Sequence, residues 1–432
     1  MISKERLVIV DGVRTPFSRM GSKLANLGAD ELGRIATQAL LSKTDLDPSL
    51  IDEVIFGCVG QPADAMNIGR VIALRAGIPE HVPAITVHRN CASGAEAITQ
   101  AYEKMAAGRG DIFVVGGTES MSQYPLFFSY ETAGKFAALA KAKTLSARLI
   151  AFSKFGFKDF FNPRIALKLG LTDPVCGLNM GETAELVGRE AGISRKEQDA
   201  FAADSHLKAL NARERLAEEI TPAYVPPEFE KAMTEDNGPR TDSTPEKLAK
   251  LRPVFERDTG TVTAGNASQV TDGAVALLVM SEHKAQELGY DPLGILTGYA
   301  YAACDPKRMG LGPVYAINKA EQVTGLGLHD ADLIEINEAF AAQVLGCVHA
   351  AGSKEFAREF LNRDSALGEI PMEKLNVNGG SIALGHPVGA TGARLALTSL
   401  KELKRRDAKR AVVSACVGGG QGFALWLERS QP

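Results

Sequence analysis

Aromatic side chains are scarce, at 6% of 432 residues with a single Trp. Positive charge is not in excess either. The 48 Lys and Arg stand against 52 Asp and Glu, a formal charge of −4, so nothing draws the chain as a whole to a polyanion such as nucleic acid. No apolar run approaches the roughly 18 residues of a membrane-spanning helix. Met1-Ile2-Ser3-Lys4-Glu5-Arg6 leads straight into an apolar stretch, with neither a long h-region nor a small-residue cleavage site. The expectation is a soluble, cytoplasmic protein. The six cysteines (Cys58, Cys91, Cys176, Cys304, Cys347 and Cys416) contain no CxxC, and the nearest two are 33 residues apart. That spacing removes a zinc ribbon or thioredoxin-like site and points to thiols rather than a disulfide framework, most of them buried and inert. No metal site is expected.

Glycine is what the chain has in surplus: 43 residues, a tenth of the total, where about 7% is usual. Nine of them fall in the 45 residues 378–422. Such a surplus signals tight turns or close backbone approach. The 45% hydrophobic and 23% charged composition is otherwise that of a globular protein.

Short β-branched runs alternate with longer amphipathic segments, the pattern of α/β layers. Residues 7–10, 53–56, 84–87 and 112–115 read as strands, with helices at 29–42 and 92–107. The order returns near the C-terminus: strands at 294–297, 333–336, 375–377 and 411–414, helices near 315–323 and 390–404. Corresponding elements lie about 280 to 300 residues apart, which predicts two copies of one β/α unit. Between them, residues 119–261 change character, with helical segments at 183–190 and 195–216 followed by Pro-rich and charged stretches, as in an inserted excursion. Within it, residues 135–168 hold eight basic residues and one acidic, a local charge of +7, interleaved with Phe136, Phe152, Phe155, Phe157, Phe160 and Phe161. Two readings stand: a surface that docks on an anionic membrane or a partner, or a solvated basic face whose phenylalanines pack inside the same chain.

Four motifs carry chemistry. In Val87-His88-Arg89-Asn90-Cys91-Ala92-Ser93-Gly94 a strand ends and Cys91 falls at the entry of a helix, where free N–H groups and the helix dipole are expected to lower a thiol pKa. The equivalent turn of the second copy is Asn376-Val377-Asn378-Gly379-Gly380-Ser381-Ile382-Ala383-Leu384-Gly385-His386-Pro387-Val388-Gly389-Ala390-Thr391-Gly392. Here a histidine able to take a proton sits between a permissive and a stiff residue. Cys416-Val417-Gly418-Gly419-Gly420-Gln421-Gly422 places a second thiol before exposed glycine N–H groups, suited to an acid and an oxyanion donor. It matches neither G-x-G-x-x-G nor the Walker pattern. Asn337-Glu338-Ala339-Phe340 follows the strand at 333–336.

Together and in this order the four motifs resemble the thiolase family, from Arg14-Thr15-Pro16-Phe17 to the Cys416 turn. The resemblance implies an α/β fold of duplicated βαβαβαββ halves packed as five layers (αβαβα), with an inserted helical loop domain covering the coenzyme A site. The N-terminal half would hold 1–118 and 262–285, the insertion 119–261, and the C-terminal half 286–432. It implies that Cys91 is the nucleophile, His386 its base and Cys416 the acid/base at the substrate C2. Asn337 would hold a water that forms one oxyanion hole with His386, and the N–H groups of Cys91 and Gly418 would form the other. The run 261–268 is similar to the family's pantetheine-contacting loop, which points to Ala264 and Ser268, while Met180 and Phe340 match positions lining the acyl pocket. The Asn266-Ala267-Ser268 glycosylation pattern is then a false positive.

The activity so implied is a 3-ketoacyl-CoA thiolase of fatty-acid β-oxidation, with coenzyme A as co-substrate and no tightly bound cofactor. An acetoacetyl-CoA thiolase run towards condensation uses the same residues. A reading of another class is a non-catalytic acyl-CoA-binding or membrane-docking scaffold, against which the intact Cys91, His386 and Cys416 speak. The resemblance further implies a homodimer or homotetramer and a complex with an enoyl-CoA hydratase/3-hydroxyacyl-CoA dehydrogenase subunit. Residues 135–168 are similar to the membrane- or partner-facing insertion of trifunctional-enzyme β-subunits. One departure is His88, where thiolases commonly have Asn: a second imidazole there either perturbs Cys91 or replaces a structural hydrogen bond.

Overall fold

A computed structural model describes residues 5–430; Met1 to Lys4 of the N-terminal stretch considered above lie outside them. The first half runs β1 (Leu7–Arg14), α1 (Ala29–Thr44), β2 (Glu53–Gly57), α2 (Ile68–Arg75), β3 (Ala84–Val87), α3 (Ser93–Ala106) and β4 (Ile112–Ser120). After an excursion carrying helices α4 (Tyr130–Lys141), α5 (Leu145–Phe152), α6 (Phe157–Phe161), α7 (Ala166–Gly170), α8 (Met180–Glu190) and α9 (Arg195–Asn211), the half closes with β5 (Thr271–Ser281). The second half contains β6 (Gly294–Ala303), α10 (Gly312–Thr324), β7 (Leu333–Ile336), α11 (Ala341–Gly352), the short α12 (Ser381–Leu384), α13 (Thr391–Arg406), β8 (Arg410–Val417) and β9 (Gln421–Arg429).

One mixed sheet has the order β7-β8-β9-β6-β1-β5-β4-β2-β3, and the halves meet where Val8 and Ile9 of β1 pair with Ile295 and Gly294 of β6. Each half repeats the same pairing, antiparallel from the first strand to the last two and parallel outward from there. The stretch expected as a strand at 375–377 contributes only a bridge from Leu375 to Ile334, in the place that β3 takes in the first half.

The period of two along a strand builds the layers. Leu7 and Ile9 of β1 face a central core with Ile98 of α3, Leu397 of α13 and Phe423 and Leu425 of β9. Val8 and Val10 face an outer core with Leu32 and Leu40 of α1 and Ile72 of α2. On the far side, Val412 and Trp426 meet Val314 and Ile317 of α10 and Val344 of α11. Helices, sheet half, helices, sheet half and helices therefore stack as αβαβα. The two central helices come together at their N-terminal ends: a Cβ on Gly94 would lie 2.8 Å from the Ala393 nitrogen, and one on Gly392 would lie 2.5 Å from the Ala95 nitrogen. This close approach is where part of the glycine surplus is used, and it brings the turns before α3 and α13 into one region.

The phenylalanines of the basic segment do not pack into the body of the chain. Phe157 and Phe161 are 74% and 68% exposed, beside exposed Tyr130, Leu145, Phe152 and Phe160. Their rings cluster with one another, Phe136 against Phe128, Phe155 and Phe160, and Phe157 stacked on Phe161. Lys135 ties α4 to α6 through Asp159 at 2.9 Å. The phenylalanines thus pack on one another within the same chain, with Phe136 and Phe155 half-buried and Phe152, Phe157, Phe160 and Phe161 exposed. Among the described residues, no helix is long and apolar enough to cross a membrane.

Candidate active site

The motif turns follow the carboxyl ends of the parallel strands, where open α/β sheets bind ligands. After β3 the chain turns through Asn90, in the left-handed region at φ 44°. Ser93 closes the turn, its hydroxyl accepting from the Arg89 N–H (3.0 Å) and donating to the Asn90 carbonyl (2.7 Å). Asn90 Nδ2 donates to the Gly418 carbonyl at 2.8 Å, clamping the β8–β9 turn onto the Cys91 turn. The N–H groups of Gly418 and of Cys91 itself are directed at the Cys91 sulfur. Burial nevertheless dominates, and the thiol is pushed up to about 11. The expectation of a lowered pKa from the helix entry is therefore corrected: desolvation outweighs the N–H groups. His88 is exposed and makes no side-chain hydrogen bond to the Cys91 turn.

His386 is buried and held on both ring nitrogens. Nδ1 lies 2.6 Å from Thr391 Oγ1, and Thr391 donates its own proton to the Pro387 carbonyl at 3.0 Å, so Nδ1 carries the proton and Thr391 accepts it. Nε2 is then the free base, and Asn337 Nδ2 lies 3.3 Å from it. The Asn337 amide is oriented from its other side, where Oδ1 accepts from Ser381 Oγ at 2.6 Å. Burial, helped by the charge of Arg394, pushes the His386 imidazole down to about 3, which keeps it neutral. Gly385 precedes it at φ 107°, where a Cβ would overlap the Thr271 hydroxyl, so only glycine fits.

Cys416 is 1% exposed at the end of β8 and packs with Phe340, Ala339, Val262 and Met180. Burial, then the charge of the neighbouring Cys91, pushes its thiol well above the ordinary value. Cys91, Gly418 and Met180 line one cavity of about 400 Å³, whose remaining wall includes Met121, Tyr124, Val388 and, from the excursion, Leu167, Leu169 and Leu171. His386, Asn337 and Cys416 are buried and do not line this cavity. The loop at 261–268 is docked on the Asn337 motif, with the Ser268 N–H donating to the Ala339 carbonyl at 2.9 Å; Ser268 is half-buried and Ala264 exposed. Asn266 is fully buried and bonded through Nδ2 to Asp199, no place for a glycan. A larger cavity, about 550 Å³ between α1 and residues 221–229, holds none of the candidate residues. Among the described residues no cluster of His, Cys, Asp and Glu is arranged to hold a metal.

Sequence reasoning assigned no role to four residues that organise this site. Buried Glu119 accepts from the N–H groups of Val59 (3.0 Å), Gly60 (2.8 Å) and Gly389 (2.9 Å) and from the Tyr124 hydroxyl (2.8 Å), joining three turns. Glu338 accepts from Ser205 of α9 (2.6 Å), Asn376 (2.9 Å) and the Ile382 N–H (3.2 Å). Thr391 and Ser381 orient His386 and Asn337. The partners of Glu119 and Glu338 lie far away in sequence, and the only signal available was that Ser381, Thr391 and Glu338 stand inside the quoted motifs.

The chain matches the family model of the thiolase N-terminal domain over residues 7–283 and that of the thiolase C-terminal domain over 290–429. It is 43% identical over 427 residues to a 3-ketoacyl-CoA thiolase of Serratia proteamaculans, covering 98% of this chain and 97% of that one. To a 3-ketoacyl-CoA thiolase of Aliivibrio fischeri it is 41% identical over 426 residues, covering 98% and 96%. The crystal structure of the Bacillus anthracis acetyl-CoA acetyltransferase aligns with a TM-score of 0.86 and 37% identity over all of both chains. Human mitochondrial 3-ketoacyl-CoA thiolase in complex with CoA aligns with a TM-score of 0.83 and 36% identity, covering 99% and 98%. With both domain models matched and these identities over nearly its whole length, the chain belongs to the thiolase family.

Proposed function

We propose that the chain is a 3-ketoacyl-CoA thiolase, an acetyl-CoA C-acyltransferase that works through an acyl-Cys91 intermediate. The observation that carries the reading is the half-buried Cys91 on an apolar cavity, with the Cys416 thiol as its neighbour and, in the turn before α13, a buried imidazole whose unprotonated nitrogen is Nε2. In the free enzyme the proton stays on sulfur. Transfer to His386 Nε2 accompanies attack of Cys91 on the 3-keto carbon, with the developing oxyanion stabilised by the N–H donors at the site. The C2–C3 bond breaks, and the acetyl-CoA enolate takes the Cys416 proton; the raised pKa of that thiol keeps it in the acid state. Coenzyme A then gives its proton to the Cys416 thiolate and attacks the acyl group. Cys91 leaves and recovers its proton from His386.

In this reading Met180 and Phe340 line the acyl site, Asn337 and Gly418 serve the two oxyanion holes, and Ala264 and Ser268 lie on the pantetheine loop. The leucines of 167–171 add apolar wall to this cavity of about 400 Å³, which favours longer 3-ketoacyl chains over acetoacetyl-CoA. A series of 3-ketoacyl-CoA substrates of increasing length tests this: thiolysis that improves beyond four carbons is expected, and strict preference for acetoacetyl-CoA contradicts it in favour of the condensing enzyme.

The same proposal includes a peripheral membrane contact through residues 135–168. It is supported by exposed Phe157, Phe161 and Leu145 among basic side chains; apolar side chains ringed by Lys and Arg suit an anionic headgroup layer. Sedimentation with anionic-lipid vesicles should be lost on deleting 135–168; unchanged binding would exclude the segment. A homodimer or homotetramer, and a complex with a hydratase/dehydrogenase subunit, complete the proposal and are tested by light scattering and co-purification.

A further inference from the structure

Arg394 of α13 is 1% exposed, and the chemistry above uses only its charge. Its Nη2 lies 3.3 Å from Ser381 Oγ; Nη1 is 3.8 Å from Glu335 Oε2, and Nε and Nη1 find no hydrogen-bond acceptor among the described residues. Guanidinium only donates, so it occupies the acceptor side of the Ser381 hydroxyl. The hydroxyl proton is thereby directed to Asn337 Oδ1 at 2.6 Å. With Oδ1 engaged, the amide presents Nδ2 to His386 Nε2 at 3.3 Å. On the far side of the ring, Nδ1–H donates to Thr391, which donates to the Pro387 carbonyl. The six groups form one chain of hydrogen bonds with a single direction, from a group that can only donate to one that can only accept.

We propose that Ser381, set by Arg394, is the positioning residue that holds the Asn337 amide with its nitrogen toward His386. Resting on the thiolase reading, this adds a residue that acts on the base through Asn337. Without the hydroxyl Oδ1 loses its donor, and only the 3.3 Å contact of Nδ2 with His386 Nε2 is left to hold the amide in this sense. Turned over, its oxygen would face the free Nε2 pair, a repulsion relieved only by protonating the nitrogen that has to take the thiol proton. The N–H contributed by Asn337 to the oxyanion site would be lost at the same time.

A double-mutant cycle tests this. Ser381→Ala is expected to lower thiolysis kcat about tenfold, the effect of one buried hydrogen bond on the transition state. The KM for coenzyme A should be unchanged within twofold. In an Asn337→Ala background the same substitution should change kcat by less than twofold, because no amide is left to position. A merely structural serine would lower both backgrounds alike. A Ser381→Ala kcat within twofold of the parent, or equal losses in both backgrounds, overturns the assignment. Ser381→Cys, nearly isosteric with a weaker donor, repeats the cycle should Ser381→Ala fail to fold. A parent chain without thiolysis overturns the thiolase reading and this assignment together; an active parent with an additive cycle overturns only the role of Ser381.

Discussion

Thr391→Val isolates the hydrogen bond that fixes the histidine tautomer. Valine has nearly the shape of threonine, so the packing at the start of α13 is retained. The Pro387 carbonyl loses the threonine hydroxyl but keeps the N–H groups of Ala390 (2.9 Å) and Thr391 (3.0 Å). The single orphan is therefore His386 Nδ1–H, which is 2.6 Å from its acceptor in the parent. Leaving a buried donor unsatisfied costs about 1–3 kcal/mol. The ring avoids that cost by moving its proton to Nε2, where it meets the Asn337 N–H and can no longer accept from Cys91. Either route removes about 1–3 kcal/mol from the reactive state, a fall in kcat of roughly 5- to 150-fold. The KM for coenzyme A should barely move. Steady-state thiolysis, with a melting curve to verify folding, measures it; a kcat within twofold of the parent would refute the tautomer argument.

Two further outcomes follow from the geometry. Gly392→Ala drives a Cβ to 2.5 Å from the Ala95 nitrogen, backbone that cannot step aside. It should destabilise the fold by about 3 kcal/mol, seen as a lower denaturant midpoint; an unchanged midpoint contradicts the close helix approach. With Cys91 pushed up to about 11, its thiolate is a small minority at neutral pH. Alkylation by iodoacetamide should then rise about tenfold per unit from pH 7 to 10, and a plateau reached by pH 7 would show a pre-formed thiolate.

How much was legible in the sequence differs between fold and site. The strands at Leu7, Glu53, Ile112 and Leu333 were readable because short β-branched runs alternate with amphipathic helices. β5 was not read as a strand: Thr271–Ser281 is buried along its whole length and shows no alternation to separate it from a buried helix. The run at 375–377 looks like a strand but makes only one bridge beside β7. At the site, Cys91, His386 and Cys416 were singled out by residue type at strand ends and helix entries, and Asn337 by the resemblance of its motif to the thiolase family. Their supports were not. Glu119 gathers donors 270 residues away at Gly389, and no local pattern encodes a contact across the interface of two halves. The thiol pKa was misjudged for a related reason, since a helix entry is visible in sequence whereas desolvation depends on the Gly418 turn and the excursion closing around it. The exposed phenylalanines reverse the usual inference from apolar residues, because the rings around α4 to α6 contact one another and stay largely open to solvent instead of joining a core.

Mass spectrometry of the chain quenched after mixing with a 3-ketoacyl-CoA, in the absence of free coenzyme A, tests the central claim most directly. The account predicts a shortened acyl group on the peptide bearing Cys91, removed when coenzyme A is added and absent from Cys91→Ala. An acyl group on Cys416 or another cysteine, or near-normal thiolysis by Cys91→Ala, would contradict it.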